Sequence, residues 1–438
     1  MFNRDGKIKP FHRFSKSTLP AFSNAFLNKN HPVVAYFSSA MAILKKSLII
    51  VALLILLAIV KVILNSLSPS SQAYHELLIF DYQILLLVWL SIFILIKLVS
   101  KKPFKFIRLT ISLSILTLLF DALFHWMIGN PSTIPGFLKP TFKSYYTTYY
   151  RNIIQYDPYS QYDTAFFYAL KPRADFPFGN VEFINSYSTN RLGLRDDQPS
   201  VTAPQIVCLG DSYTLGWGVD QYQTFAHLLE ENTRKKVLNV SMSSYGTPRE
   251  LKWLNKIDTS SLQYIIIQYC RNDVEENRVF NVNGHLPISS EESYNTQVQT
   301  YHWQRRYFPG KYSITIGYNF IKSSLRKMIK GSSSPYYLSD DPKASAVEFV
   351  KVLDAYSSIL SRKKVFILDL NDFHEMNSKF LMSVDSVLNT DAYSKIRNSI
   401  INLDVSNTLL PEDFYLLDAH LKPSGHRKIA NALSRYIQ

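Results

Sequence analysis

Short apolar runs that end in glycine or polar residues constrain the fold of this chain more than any other feature. Runs of this length, bounded by turn residues, predict buried β-strands. Segments with helical spacing lie between them, and this alternation predicts an α/β fold with a doubly wound parallel sheet. The predicted strands are Ile206–Leu209, the run VLNVS before Gly246, the run YIIIQY before Asn272, and Lys364–Leu370; the predicted helices are Thr224–Asn232, one opening after Gly246, Ala344–Leu360 and Pro423–Ile437.

Ser212 stands directly after the first of these strands, in the sequence Gly210-Asp211-Ser212. Open α/β sheets bind ligands in the crevice beyond the carboxyl ends of their strands, so a serine in this turn is in the place of a nucleophile. Gly-Asp-Ser is also a common turn tripeptide, and an ordinary strand-to-loop turn is the alternative. The other parts of a serine active site decide between these two interpretations.

The second strand runs into Gly246, a candidate donor for the oxyanion that forms during acyl transfer. Thr247, Pro248 and Glu250 follow it with the spacing of a capping box in which threonine is the cap. Gly246 should then lie beside a helix N-terminus with its N–H free to donate.

A second oxyanion donor and a base follow further along the chain. Asn272 ends the third strand and offers a neutral side-chain donor. Near the C-terminus, Asp418 precedes His420 by two positions, which supplies a base and a residue that orients it. His426 is the rival base, although a position inside the last helix favours packing against the sheet.

These residues resemble the four sequence blocks of the SGNH hydrolases, also called GDSL esterases and lipases: Ser212, Gly246, Asn272 and His420 match them in order. The resemblance covers Asn185 to the C-terminus, and the lead-in NSYSTNRLGLRD is similar to that of membrane-anchored bacterial members. It implies a flavodoxin-like, three-layer fold. It also implies Ser212 as the nucleophile, His420 as the base and Asp418 as its orienter, with the Ser212 N–H, the Gly246 N–H and the Asn272 side chain as oxyanion donors and no cofactor.

Two departures from the family pattern affect the site. Cys270 and Arg271 replace the first two residues of the usual Gly-x-Asn-Asp, and Leu417 stands where the orienting aspartate is expected, one place before Asp418. The resulting Asp-x-His spacing resembles that of some polysaccharide O-acetyltransferases related to the family. No HExxH or CxxC metal motif and no GxSxG elbow of the α/β-hydrolases occurs in the sequence.

Three long apolar runs precede this region, and each has the roughly 20 residues needed to cross a bilayer. They are Ser47 to Ser66, about Leu77 to Val99, and about Ile107 to Ile128. A cleaved signal peptide does not explain them, because some 45 mostly polar residues come before the first run and two more runs follow it. The predicted regions are a cytoplasmic tail (1–46), a membrane anchor with three transmembrane helices (47–128), a juxtamembrane connector and packing segment (129–184) and the catalytic domain (185–438) with an insert at about 278–342.

Basic residues set the predicted orientation. The loop SPSSQAYHEL between the first two runs has no Lys or Arg, whereas the other two flanking segments are basic. Both basic segments should be cytoplasmic, which puts the catalytic domain outside the cytoplasmic membrane. The net charge of +14 is thus partly a topology signal, and no nucleic-acid-binding motif accompanies it. The basic residues are Arg4, Lys7, Lys9, Arg13, Lys16, Lys29, Lys45 and Lys46 before the first run, and Lys101, Lys102, Lys105 and Arg108 between the second and third.

Some ionisable residues and cysteines leave alternatives open. Asp81, Asp121 and His125 lie near the expected outer ends of their spans, which favours an interfacial or packing role over a functional one. Cys208 and Cys270 could form a disulfide if their strands are neighbours. Two buried thiols are the simpler expectation, because bridges between adjacent parallel strands are geometrically awkward.

The insert between Asn277 and Pro342 mixes aromatic and basic residues. Such a surface suits sugar rings, anionic glycans or lipid headgroups, and a helical cover over a sheet edge is an equal alternative. The aromatic residues are Tyr301, Trp303, Tyr307, Phe308, Tyr312, Tyr318 and Phe320, and the basic ones Arg305, Arg306, Lys311, Arg326, Lys327 and Lys330.

The sequence therefore predicts a membrane-anchored, extracytoplasmic serine esterase of the SGNH type, acting on O-acyl and above all O-acetyl esters of an envelope or exported polysaccharide. A polysaccharide O-acetyltransferase with the same triad, supplied by an acyl-donor membrane partner, stays open. So does a non-catalytic carbohydrate-binding scaffold of an envelope-assembly complex.

Overall fold

The structure is a computed structural model that describes residues 103–330 and 341–437, together with positions 94 and 97. The chain divides into two units, Met1–Leu116 and Thr117–Gln438. Apart from positions 94 and 97, the first two predicted membrane spans, together with Asp81, lie outside the described residues. The third span and the catalytic domain can be compared with their predictions.

The predicted third span is a helix, α1 (Pro103–Gly129). Its stretch Ile107–Gly129 is long and apolar enough to cross a membrane, the one such helix among the described residues. Most of its large apolar side chains are exposed, Leu119 and Trp126 among them. A buried core helix would cover these side chains. That α1 spans a membrane stays a prediction.

The segment after α1 folds into short elements on the catalytic domain. They begin with helix α2 and a single helical turn over Tyr146–Tyr150, and continue with two antiparallel hairpins. The bounds are α2 (Lys139–Tyr145), β1 (Ser160–Asp163), β2 (Phe167–Leu170), β3 (Asp175–Asn180) and β4 (Phe183–Ser188).

Five parallel strands form the central sheet in the order β6-β5-β7-β8-β9. Of these five strands, β5 comes first in the chain but lies second in the sheet, which is the flavodoxin-like order. The connections reverse direction between β5 and β7. The prediction of a parallel α/β sheet is confirmed. The strands are β5 (Ile206–Gly210), β6 (Val237–Ser241), β7 (Tyr264–Tyr269), β8 (Lys364–Asp369) and β9 (Ile400–Asn402).

Helices cover both faces of the sheet, because alternate side chains of the same strand enter two different cores. Val207 and Leu209 belong to one core, and Ile206 and Cys208 to the other. A strand buried on both faces reads as a continuous apolar run, as β5 does. The helices are α3 (Ser212–Leu215), α4 (Phe225–Thr233), α5 (Thr247–Lys252), α6 (Val274–Asn283), α7 (Glu291–Gln304), α8 (Lys311–Lys330), α9 (Pro342–Ala355), α10 (Ser357–Leu360), α11 (Lys379–Leu388), α12 (Ser394–Arg397) and α13 (Pro423–Ser434).

The described part of the insert is helical and packs on the connector. Tyr294 is buried and donates to the Gln155 carbonyl at 3.3 Å, and Tyr312 is buried beside Tyr145. Asp121 of α1 accepts a 2.7 Å hydrogen bond from the Tyr307 hydroxyl. The predicted packing role of Asp121 therefore has a specific partner, and the insert residues in these contacts lie on the connector and on α1.

The two cysteines are unpaired thiols. Their strands are neighbours, but Cys208 is level with Ile266 of β7, and Cys270 comes four positions later, just after the end of β7. At about 3.3 Å per residue this offset separates the sulfurs by far more than a disulfide allows.

Candidate active site

Ser212 is the first residue of α3, directly beyond the carboxyl end of β5. Asp211 caps this short helix by accepting the Tyr213 N–H at 3.0 Å. Gly210 lies where there is no room for a side chain, since a Cβ there would come within 2.6 Å of Gln268 Oε1. The serine therefore lies at the point where the sheet changes direction, which is where such sheets bind ligands.

His420 and Asp418 reach this serine from the loop before α13. His420 Nε2 is 2.8 Å from Ser212 Oγ, and His420 Nδ1 is 2.5 Å from Asp418 Oδ1. Ala419 between them has a left-handed backbone with φ of 66°. This turn brings the carboxylate to the imidazole although only one residue separates the two. The structure thus brings all three predicted triad residues into one line of hydrogen bonds.

Two aromatic rings border the imidazole. Trp217 is stacked on His420 with ring centres 5.1 Å apart and planes at 25°, and the ring centre of Tyr213 is 5.0 Å away. His420 and Ser212 are 7% and 8% exposed, so both are buried and retain only a little contact with solvent. The rings restrict the imidazole to the plane in which it joins Ser212 to Asp418.

The Asp418 carboxylate is buried but well partnered. Burial alone would raise its pKa; the hydrogen bond and charge of His420, the nearby Arg151 and the Tyr146 hydroxyl together hold the pKa of Asp418 below its ordinary value. Glu182 fixes the loop by accepting the backbone N–H groups of Leu416, Leu417 and Asp418 at 2.7 to 2.9 Å. These partners favour the ionised form of the Asp418 carboxylate, which faces the His420 imidazole.

The predicted oxyanion donors are only partly in place. Asn272 lies beside the serine turn, with its Nδ2 donating to Asp211 Oδ2 at 3.4 Å. The Gly246 N–H, expected to be free, donates instead to Glu276 Oε2 at 3.0 Å. Arg249 pairs with the same carboxylate and holds it there. An oxyanion would have to displace Glu276 before it used the Gly246 N–H.

The capping box predicted after Gly246 is wrong by one residue. The cap of α5 is Gly246 itself, and the Thr247 hydroxyl donates to Asp273 at 3.0 Å. Glu250 therefore falls one position too late to reach back to the cap, and it is fully buried. Burial, followed by the nearby charge of Asp273, raises the pKa of Glu250 well above its ordinary value.

The lead-in segment supports the loop behind the nucleophile. Arg195 is buried and donates to the carbonyls of Leu215, Gly216 and Val219, with bonds of 2.6 to 2.9 Å. Its guanidinium lies over the Tyr187 ring at 3.5 Å. The arginine thereby fixes the loop that carries Trp217.

His426 is not part of this line of hydrogen bonds. It is fully buried in α13, accepts the Phe225 N–H at 3.2 Å and stacks on the Phe225 ring. Burial, with smaller contributions from the charges of Arg195 and His420, lowers the pKa of His426 to about 3. His426 thus has a packing role as expected, although its hydrogen bond and ring contact are with Phe225 of α4 and the prediction placed it against the sheet.

Sequence reasoning missed four residues around the triad: Tyr146, Arg151, Glu182 and Trp217. The first three lie in the segment predicted to be a connector, outside the region that resembles the family. No motif or periodicity marks a hydrogen bond between positions as far apart as Tyr146 and Asp418. Trp217 could have been identified from the sequence, since it follows Ser212 by five positions in the same block.

No protein-family model and no curated protein matches this sequence. The similar solved structures include a protein assigned to the G-D-S-L family of lipolytic proteins from Desulfitobacterium hafniense DCB-2, with 13% identity, 52% of this chain and 97% of that chain covered, and a TM-score of 0.28. A second is a carbohydrate esterase family 2 enzyme from Corynascus thermopiles (Myceliophthora fergusii), with 14% identity, 53% of this chain and 65% of that chain covered, and a TM-score of 0.32. A third is a family 3 carbohydrate esterase from Clostridium thermocellum, with 13% identity, 53% of this chain and 94% of that chain covered, and a TM-score of 0.30.

Similarities this distant carry over neither an activity nor a substrate. The resemblance of this chain to the SGNH hydrolases rests on the four sequence blocks.

Proposed function

We propose that this protein is a membrane-anchored serine esterase that cleaves O-acyl esters outside the cytoplasmic membrane. The observation that carries the proposal is the line of hydrogen bonds from Ser212 through His420 to Asp418, with distances of 2.8 and 2.5 Å. A serine hydroxyl becomes a nucleophile when a base is placed to take its proton and an acid orients that base.

In this mechanism Ser212 Oγ attacks the ester carbonyl carbon while its proton passes to His420 Nε2. The Ser212 N–H and the Asn272 side chain stabilise the oxyanion of the tetrahedral intermediate. Collapse of the intermediate breaks the bond to the leaving alcohol, which takes the proton from His420. Water then attacks the acyl-serine with His420 as base, and the carboxylic acid and free Ser212 are released.

An O-acetyl group on an envelope or exported polysaccharide is the proposed substrate. The insert supports it, because Trp303 exposes a large aromatic surface of the kind that packs against sugar rings. The orienting aspartate supports a second candidate with the same substrate class, since the Asp418-x-His420 spacing resembles that of polysaccharide O-acetyltransferases. In that reaction a sugar hydroxyl replaces water as the second nucleophile.

Turnover with and without an acceptor separates the two reactions. We expect the full chain in detergent to hydrolyse p-nitrophenyl acetate and to release free acetate at a rate that an added oligosaccharide does not change. Acetylated sugar as the main product in dilute acceptor would instead establish transfer. A chain that forms neither product but binds the oligosaccharide would support the carbohydrate-binding scaffold.

The exposed apolar surface of α1 supports the proposed membrane location. Helix α8 begins beside α1, where the Ser313 N–H donates to Asp121 Oδ1 at 3.0 Å. It also exposes an apolar stripe at helical spacing through Ile314, Tyr318 and Leu325. A bilayer surface would cover such a stripe, with the catalytic domain on the outer side.

Reporter fusions test this topology. An alkaline phosphatase fused after Gln438 should be active, because that enzyme works only outside the cytoplasm, and one inserted at Lys101–Lys105 should be inactive. A green fluorescent protein at the same two sites should give the opposite pattern and serves as the control. If the alkaline phosphatase is active only at Lys101–Lys105, the proposed orientation is wrong.

A further inference from the structure

The Asp418 carboxylate is held on both oxygens, and one partner comes from outside the region that resembles the SGNH family. Oδ1 faces His420, while Oδ2 accepts a 2.5 Å hydrogen bond from the Tyr146 hydroxyl. Tyr146 is fully buried, so water does not compete for this bond. A buried donor fixes the direction of a carboxylate and disperses its negative charge. Tyr146 therefore acts on the group that orients the proposed base.

Arg151 lies close both to the Asp418 carboxylate and to the Trp217 ring beside His420. Its Nη1 is 3.8 Å from Asp418 Oδ1, and its guanidinium lies 5.5 Å from the centre of the Trp217 ring, which stacks on His420. The Arg151 side chain is 22% exposed, so solvent screens its charge only in part. A cation at this distance offsets part of the Asp418 charge that the imidazole experiences.

Aromatic contacts hold Tyr146 in place and link it to α1. The Tyr146 ring stacks on Tyr150 with centres 6.2 Å apart, and Tyr150 in turn lies 6.3 Å from Tyr312. The Tyr312 hydroxyl is 3.0 Å from His125 Nδ1 of α1. The position of the Tyr146 hydroxyl is thus set by the segment that enters the catalytic domain from the apolar helix.

We propose that Tyr146 and Arg151 are positioning residues of the active site, which hold the Asp418 carboxylate against His420 and weaken its pull on the imidazole proton. The inference rests on the proposed esterase function, because it concerns the same triad. Both residues act through Asp418. The segment predicted to be a connector is then a part of the active site.

Other titratable or charged groups also face the His420–Asp418 pair, and all of them stay the same in the variants considered below. They are Glu182, Asp211, Tyr213, Tyr187, Tyr415 and His426. A difference between variants therefore reports the residue that was changed.

The test follows the His420 imidazole by NMR in the full chain in detergent, with ¹³C-labelled histidine and with His420→Gln to assign the signal. Loss of the Tyr146 hydroxyl or of the Arg151 charge leaves Asp418 with a stronger pull on the proton. The pH midpoint of the His420 titration should therefore rise by about half to one unit in Tyr146→Phe and in Arg151→Met. Arg151→Lys keeps the charge and should keep the wild-type midpoint. Tyr149→Phe, in the same helical turn, is the matched control and should not shift it.

The acidic limb of the kcat/KM profile for p-nitrophenyl acetate should move in the same direction, with kcat about tenfold lower in Tyr146→Phe and KM little changed. Thermal unfolding of each variant shows that the fold is retained, since Tyr146→Phe removes a single oxygen. Two results would overturn the inference: midpoints in Tyr146→Phe and Arg151→Met that coincide with Tyr149→Phe, or a shift in Arg151→Lys as large as in Arg151→Met. The titration reports the imidazole and not turnover, so a wild-type chain without esterase activity would defeat only the proposed function.

Discussion

Replacing Ser212 with alanine will lower the turnover of p-nitrophenyl acetate by a factor on the order of 10⁴ or more, because the reaction loses its nucleophile. The fold should survive. The side chain loses one oxygen whose partner is His420 Nε2 at 2.8 Å, and no large group leaves the core. We expect the free energy of unfolding to change by less than about 1 kcal/mol.

Ser200→Ala is the matched control for this experiment. Ser200 is also buried, but it lies before β5 and outside the triad, so its replacement should leave turnover close to that of the wild type. Initial rates and thermal unfolding of the three proteins decide the matter. Wild-type turnover in folded Ser212→Ala would show that another group performs the reaction.

Of the two buried histidines, we expect His420 to matter for activity and His426 to matter for stability. His420→Ala removes the base and should lower turnover by a factor on the order of 10⁴. Asp418→Asn leaves the base but disturbs its orientation, and should lower turnover by less than His420→Ala does. Neither change removes a large part of the core.

His426→Ala should instead destabilise the protein by about 2 kcal/mol, since it leaves the buried Phe225 N–H without an acceptor and opens a cavity beside that ring. Its turnover, measured well below the unfolding temperature, should stay near the wild-type value. For each variant, both the turnover rate and the midpoint of thermal unfolding are measured. An inactive but stable His426→Ala together with an active His420→Ala would reverse the two roles.

The sheet and the triad could be predicted because each corresponds to a recognisable pattern in a few consecutive residues. A strand buried on both faces is almost entirely apolar, as β5 is and as β7 is apart from Gln268. A nucleophile directly beyond the carboxyl end of such a strand lies in a turn, which Gly210 and Asp211 indicate here. The Asp418-x-His420 pair is likewise adjacent in sequence. Its geometry depends on the left-handed Ala419, which the sequence does not indicate.

Contacts between segments that are distant in sequence have no such local pattern and could not be predicted. The Gly246 N–H was expected to be free because its helix could be predicted, but its acceptor, Glu276, lies 30 positions later in another helix. Tyr146 is one of several tyrosines in a short stretch, and only the folded chain shows which hydroxyl reaches Asp418. Side chains that complete a site from another part of the chain are therefore the part that sequence reasoning cannot supply.

The site of covalent attachment of a fluorophosphonate tests the central claim most directly, because the reagent labels a serine only when a neighbouring base activates it. The full chain in detergent is treated with the reagent, digested and analysed by peptide mass spectrometry. We predict a single adduct on Ser212, absent in Ser212→Ala and formed much more slowly in His420→Ala. An adduct on another serine, or equal labelling of Ser212→Ala, would contradict the assignment of Ser212 as the nucleophile.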